Sequence, residues 1–144
     1  MECRLLKKVV LLDTHAWLWL VEGEARFSPE TLGRIEAAAA ARLLRVAPIS
    51  VWEVAMLEAK GRIRLTQDCR SWVKRALSPP GPALAPLTPD ILIDSTRLPG
   101  TFHGDPADRM IVATARALDA CLVTADARIL GYAEQGSVEA KGLS

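Results

Sequence analysis

The sequence is short of several things at once. Among its 144 residues aromatics make up 5 %, and there are three cysteines, two histidines and one tyrosine. Cys3, Cys69 and Cys121 are odd in number and far apart, with no CxxC and no Cys/His cluster. That pattern argues against a disulfide framework or a zinc site, and reads as ordinary thiols in a reducing cytoplasm. No run of about 20 apolar residues appears, so no membrane span is expected. The apolar stretch from Lys8 to Val21 contains Asp13 and His15 and ends against Glu22. No small-x-small cleavage site follows it, so it is not read as a signal peptide. A formal charge of +1 excludes a histone-like polycation. It leaves nucleic acid open as a partner, because binding depends on where charge sits. Ser-His-Asp, GxSxG, GxGxxG and GxxxxGK[ST] patterns are missing, as is any internal repeat.

Half of the residues are hydrophobic and 24 % are charged, which suits a folded chain rather than a disordered one. The length suits one domain, read here as residues 1–144, with enough chain to bury a core. Lys8–Leu12 is a short aliphatic run without alternation, the mark of a strand buried on both faces. Thr14 is expected to cap a helix to Leu20. Ser28-Pro29-Glu30 opens a second helix through the alanine tract to about Leu44. Residues 45–48 form a second strand, and Ser50 starts a helix ending near Gly61. Thr66 caps a further helix to Leu77, and 83–87 holds a small strand. A helix from Thr88 closes at Pro99-Gly100, and Asp105-Pro106 starts a long helix to Leu118. Residues 121–124 are another buried-type strand. Asp126 opens a short helix before Gly131, and 138–141 is a last strand. Strands alternating with helices indicate an α/β sandwich with a mainly parallel sheet of four to five strands.

The carboxylates fall at informative places. Asp13 closes the first strand, and Asp126 follows the 121–124 strand. Glu53 lies in the first turn of the helix after the second strand. In an open parallel sheet these positions share the edge where strands end and ligands bind. Asp105 and Asp108 begin the long helix. If that crossover is regular, its N-terminus is expected on the opposite edge, with the 99–104 loop needed to bring Asp108 across. Each acid also has a structural reading. Glu53 fits a capping box with Ser50. Asp105 and Asp126 fit N-caps, and Asp108 favours a helix dipole. Asp13 is poorly placed for capping when Thr14 is available. Several carboxylates in one crevice raise each other's pKa unless a cation joins them. Oxygen ligands of this kind suit Mg²⁺ or Mn²⁺ and the hydrolysis of phosphodiesters.

Four blocks then resemble the PIN domain family, and more narrowly its VapC-type toxin ribonucleases. They are Val10-Leu11-Leu12-Asp13-Thr14-His15-Ala16, Ser50 to Ala55 (SVWEVA), His103 to Ala115 (HGDPADRMIVATA) and Leu122 to Asp126 (LVTAD), in the family's order. The resemblance implies a three-layer PIN-like sandwich and a four-acid metal site of Asp13, Glu53, Asp108 and Asp126. Thr14 and Thr124 stand nearby, and Asp105 is an N-cap with a possible supporting role. It further implies a Mg²⁺- or Mn²⁺-dependent endoribonuclease acting on RNA, a homodimer and a cognate antitoxin. Arg109 is open between pairing a carboxylate and reaching phosphate. The basic stretch Lys60, Arg62, Arg64, Arg70, Lys74 and Arg75 is open between an RNA track and a solvated helix face. The four tryptophans read as core or dimer contacts. Two alternatives stand beside this reading. One is a silent PIN-like scaffold module. The other is a haloacid-dehalogenase-like phosphatase, which needs an acid where His15 stands.

Overall fold

The computed structural model describes residues 8–144. Cys3 lies outside them. Five parallel strands form one sheet: β1 (Val10–Leu12), β2 (Leu44–Val46), β3 (Ala83–Leu84), β4 (Cys121–Val123) and β5 (Glu139–Lys141). The spatial order is β3-β2-β1-β4-β5, so every neighbouring pair is parallel. Seven helices among the described residues connect them: α1 (Thr14–Val21), α2 (Pro29–Ala40), α3 (Pro48–Ala59), α4 (Cys69–Ala76), α5 (Pro89–Ser95), α6 (Pro106–Leu118) and α7 (Ala127–Ala133).

The elements are those expected, but several ends differ, and the caps explain why. α1 is capped by Asp13 rather than Thr14, and α4 by Asp68 rather than Thr66. α3 starts at Pro48, two residues before Ser50, because proline is at ease in a first helical turn. α2 stops at Ala40, after which Arg42 takes a positive φ of 60° and turns the chain into β2. α5 ends at Ser95, short of Pro99, whereas α7 runs on through Gly131. Of the cysteines, Cys69 is a free thiol and Cys121 stands at the head of β4.

β1 and β4 are buried at every residue, as their unalternated sequences foretell. One face of the sheet packs Leu11 and Leu122 against α5, α6 and α7 through Ile91, Ile111, Val112 and Ile129. The other packs Leu12 and Val46 against α1 to α4 through Trp17, Ile35, Val54 and Trp72. Trp17 and Trp72 meet edge to face, with ring centroids 5.1 Å apart.

The chain builds outwards from β1 to β2 and β3, then returns to lay β4 on the other flank of β1. The switch point of the sheet therefore lies between the ends of β1 and β4, where open α/β sheets form their crevice. The long helix also corrects an expectation. Helices in a parallel sheet run back against the strands. A helix that ends at the foot of β4 must begin at the edge where strands finish. α6 thus delivers Asp105 and Asp108 to the same edge as Asp13 by ordinary geometry, and the 99–104 loop need not carry them across.

Candidate active site at the sheet switch point

Asp13, Glu53, Asp105, Asp108 and Asp126 all line one cleft of about 350 Å³, together with Thr14, His15 and Arg128. Asp13 is 6 % exposed. Its Oδ1 accepts the Ala16 amide at 2.8 Å and so caps α1. Its Oδ2 accepts the Thr124 hydroxyl and, at 3.3 Å, the Ala125 amide. Burial pushes this carboxyl above its ordinary range, and those three hydrogen bonds pull it back. Asp13 therefore caps α1 and lines the cleft at once, and is not spared from capping by Thr14.

Thr14 has another task. Its hydroxyl lies 2.5 Å from Glu53 Oε1, to which it donates, and 2.8 Å from Ser50 Oγ. The early start of α3 places Glu53 in the second turn, so the expected capping box with Ser50 does not form. Glu53 faces α1 instead. Burial raises its pKa first, Thr14 opposes the rise, and the charge of Asp105 adds to it.

Asp105 is the cap of α6 that the sequence predicts, accepting the Asp108 amide at 2.8 Å. Asp108 is thereby turned into the cleft. Burial, then the charges of Asp105, Asp126 and Glu53, push its pKa up to about 7 against the pull of Arg128. Asp126 caps α7 through Oδ1, which accepts the Arg128 amide at 2.8 Å. Burial lifts the Asp126 carboxyl, but the side-chain and backbone hydrogen bonds and the charge of Arg128 outweigh it, and its pKa is lowered. Thr124 joins two of the acids: its hydroxyl donates to Asp13 and accepts the Asp126 amide at 2.9 Å.

Two residues escaped the sequence reading. Arg128 Nη2 lies 3.2 Å from Asp108 Oδ2 and 3.2 Å from Asp126 Oδ2. Its position two residues after a strand-end aspartate was the available signal. Gly104 is the other, since a Cβ there would stand 2.4 Å from the Phe102 ring and 2.9 Å from Asp108 Cβ. A glycine lets the loop pass close beside the site.

Arg109 forms no ion pair with a carboxylate among the described residues. It donates to the Ser95 carbonyl from Nε and to the Phe102 carbonyl from Nη1, both at 2.8 Å. It braces α6 against the end of α5 and satisfies carbonyls that the chain leaves unpaired. Lys60, Arg62, Arg64, Arg70, Lys74 and Arg75 are exposed, as either reading of them requires, and form no ion pair with an acid among the described residues.

Among the described residues no three His, Cys, Asp or Glu side chains close into a ready-made metal cage. The donor set nevertheless fits a hard divalent cation. It is all oxygen, it is crowded enough to hold Asp108 near neutrality, and one guanidinium already sits between two of its carboxylates. Mg²⁺ suits such a site, because it keeps several waters and takes few protein ligands.

A Rossmann-like parallel sheet with carboxylates gathered at its switch point defines a class of protein, and the family comparison agrees: the PIN domain model matches residues 10–135, and the chain belongs to that family. The chain is also 37 % identical over 123 residues to Ribonuclease VapC22 of Mycobacterium tuberculosis, covering 85 % of this chain and 91 % of the relative. Among solved structures, VapBC2 from Rickettsia felis, bound to a DNA fragment from its promoter, superposes with a TM-score of 0.67 at 14 % identity. That match covers 94 % of this chain and 99 % of the other. FitAcB from Neisseria gonorrhoeae follows with a TM-score of 0.55 at 16 % identity, covering 92 % and 96 %. These two likenesses concern the fold.

Proposed function

We propose that this chain is a divalent-metal-dependent endoribonuclease, the toxin of a toxin–antitoxin pair. The observation that carries the proposal is the convergence of Asp13, Glu53, Asp108 and Asp126 on one cleft in a chain homologous to a VapC ribonuclease. Asp13, fixed by three hydrogen bonds, would be the rigid ligand. Asp108 and Asp126 would complete the metal site with the help of Glu53. A bound Mg²⁺ or Mn²⁺ supplies a more acidic water and shields charge on the phosphoryl oxygens. Glu53, raised in pKa and held by Thr14, takes the proton of the attacking water. Thr124 keeps Asp13 and Asp126 in register, and Asp105 acts through the amide and charge of Asp108.

The test is cleavage of total RNA with Mg²⁺ or Mn²⁺, wild type beside Asp13→Asn. Metal-dependent cleavage lost in the variant supports the proposal. Intact RNA in both reactions points to a silent scaffold. Membership of the PIN family sets aside the phosphatase alternative, which His15 already disfavoured.

The rest of the reading follows from the same class. Residues 1–144 form one PIN unit working in the cytoplasm, and no helix of the described residues is long and apolar enough to cross a membrane. A homodimer is proposed, and of the four tryptophans read as core or dimer contacts Trp52 is the exposed one. Trp17 is fully buried within the fold, so it offers nothing to a partner. The exposed large apolar side chains are instead Trp52 at 57 %, Ile93 at 47 %, Leu84 and Leu92. A light-scattering mass near that of one chain would contradict the dimer. The partner is a cognate antitoxin that inhibits by placing an arginine among the four acids. Co-expression of the neighbouring reading frame tests this. Co-purification and relief of growth arrest, both lost on mutating one antitoxin arginine, are the expected results.

A further inference from the structure

Arg128 carries a charge that the four-acid reading does not use. Five carboxyl side chains line the cleft with it. Its Nη2 is equidistant from Asp108 Oδ2 and Asp126 Oδ2, at 3.2 Å, and its Nε lies 3.4 Å from Asp126 Oδ1. These contacts are long for charge-assisted hydrogen bonds, which run nearer 2.7–2.9 Å. Asp126 takes both prongs, Nε and Nη2, but at lengths beyond a tight fork, and Nη2 is shared with Asp108 on another element, which receives a single prong. The side chain is 56 % exposed, while those of Asp108 and Asp126 are 15 % and 24 % exposed, which puts the guanidinium at the mouth of the cleft. The residue's amide is held by Asp126 Oδ1 at 2.8 Å. Its backbone is therefore fixed while its long side chain is loosely tied.

We propose that Arg128 is a displaceable counter-ion. It takes the place between Asp108 and Asp126 until a divalent cation exchanges with it, and the freed guanidinium then binds the phosphate of the incoming RNA. The inference rests on the metal-dependent nuclease reading above. A single positive charge cannot balance five carboxylates, and a divalent ion at the same place balances them better. Once that ion is seated, the guanidinium loses its two partners and stands at the entrance, with a fork suited to phosphate.

The experiment has readouts besides activity. Mn²⁺ is titrated calorimetrically into wild type and Arg128→Gln. The variant is expected to bind about five-fold more tightly, since an exposed ion pair is worth about 1 kcal/mol. In wild type, the Arg128 Nε–Hε resonance, assigned by its loss in Arg128→Gln, is expected to become more mobile when Mg²⁺ saturates the site. At saturating Mn²⁺ the variant's KM for RNA is expected to rise about ten-fold, with a smaller change in kcat. Equal or weaker Mn²⁺ binding by the variant overturns the exchange, as does a guanidinium equally ordered with and without Mg²⁺. An unchanged KM overturns the transfer to phosphate. If neither protein binds Mn²⁺, the metal-site reading falls and this proposal with it, whereas equal binding sinks this proposal alone. Should Arg128→Gln fail to fold, Arg128→Lys, which keeps the charge and loses the Nε–Hε resonance, supplies the assignment, and the measurement on wild type decides.

Discussion

Helix α1 serves two regions of opposite character. At its N-terminus Asp13, Thr14 and His15 line the acid cleft. One turn further on, Trp17 is fully buried against Trp72. In the tryptophan cluster every neighbour favours the fold, because burial of apolar surface and an edge-to-face ring contact act in the same direction. In the cleft the neighbours oppose one another. Asp13, Glu53 and Asp108 all have pKa values raised first of all by burial. The cluster supplies stability, and the cleft consumes it to hold charge where a cation is wanted. Four changes would break or sharpen that contrast.

The largest effect is expected on activity. Asp13→Asn should lower RNA cleavage by more than about 100-fold, since losing a ligand exceeds the usual cost of losing its supporting partner. The midpoint of thermal unfolding should move little, because asparagine also caps helices. A fully active Asp13→Asn would remove the cleft from the chemistry.

On the other side of α1, Trp17→Ala should cost about 3–5 kcal/mol in denaturant unfolding, as large core deletions do. The fraction still folded should keep its cleavage rate. A stable but inactive variant would mean that the cluster and the cleft are not separable.

The next effect is on pH dependence. Asp108 has a folded-state pKa of about 7 against an ordinary 3.8, so the folded protein holds its proton more tightly than the unfolded chain does. Its contribution to stability is complete below pH 3.8 and is lost as pH rises through about 7. Asp13 and Glu53, also raised, act in the same direction. Without divalent ions the melting temperature should fall by about 5 °C between about pH 5 and 8. Millimolar Mn²⁺ should abolish most of that fall, and Asp108→Asn should lessen it. A melting temperature that rises over this interval would show that the acids are not crowded.

The smallest effect is expected at Asp105. Asp105→Asn keeps the cap on α6 but removes a charge beside Asp108 and Glu53. Cleavage should fall less than about ten-fold, and stability without metal should be unchanged or slightly raised. A variant as inactive as Asp13→Asn would make Asp105 a ligand rather than a neighbour.

Much of this was legible in the sequence where the signal is local. Unalternated VLL and CLV runs announce doubly buried strands, and Asp105-Pro106 announces a helix start. Where two local signals compete, the reading slipped. Ser50 and Pro48 both open helices, and proline won, which moved Glu53 from a capping turn to one facing Thr14. Thr14 and Asp13 both cap, and the aspartate won, leaving Thr14 free to hold Glu53. Capping and lining the cleft are not rival roles. A carboxylate has two oxygens, and Asp13 and Asp126 each cap with one and present the other to the site.

The sequence by itself determined which residues end strands and begin helices, because those preferences depend on neighbours only a few positions away. It thereby set Asp13, Asp105 and Asp126 at element junctions, and the four ordered blocks gave the family. Only the tertiary structure decided that these junctions meet. Strand order places β4 beside β1 across more than a hundred residues of chain, and antiparallel return brings the start of α6 to that same edge. The site therefore follows from long-range pairing and from the direction in which helices must run. So does Arg128: its guanidinium lies between Asp108 and Asp126 because two separate crossovers end at one place.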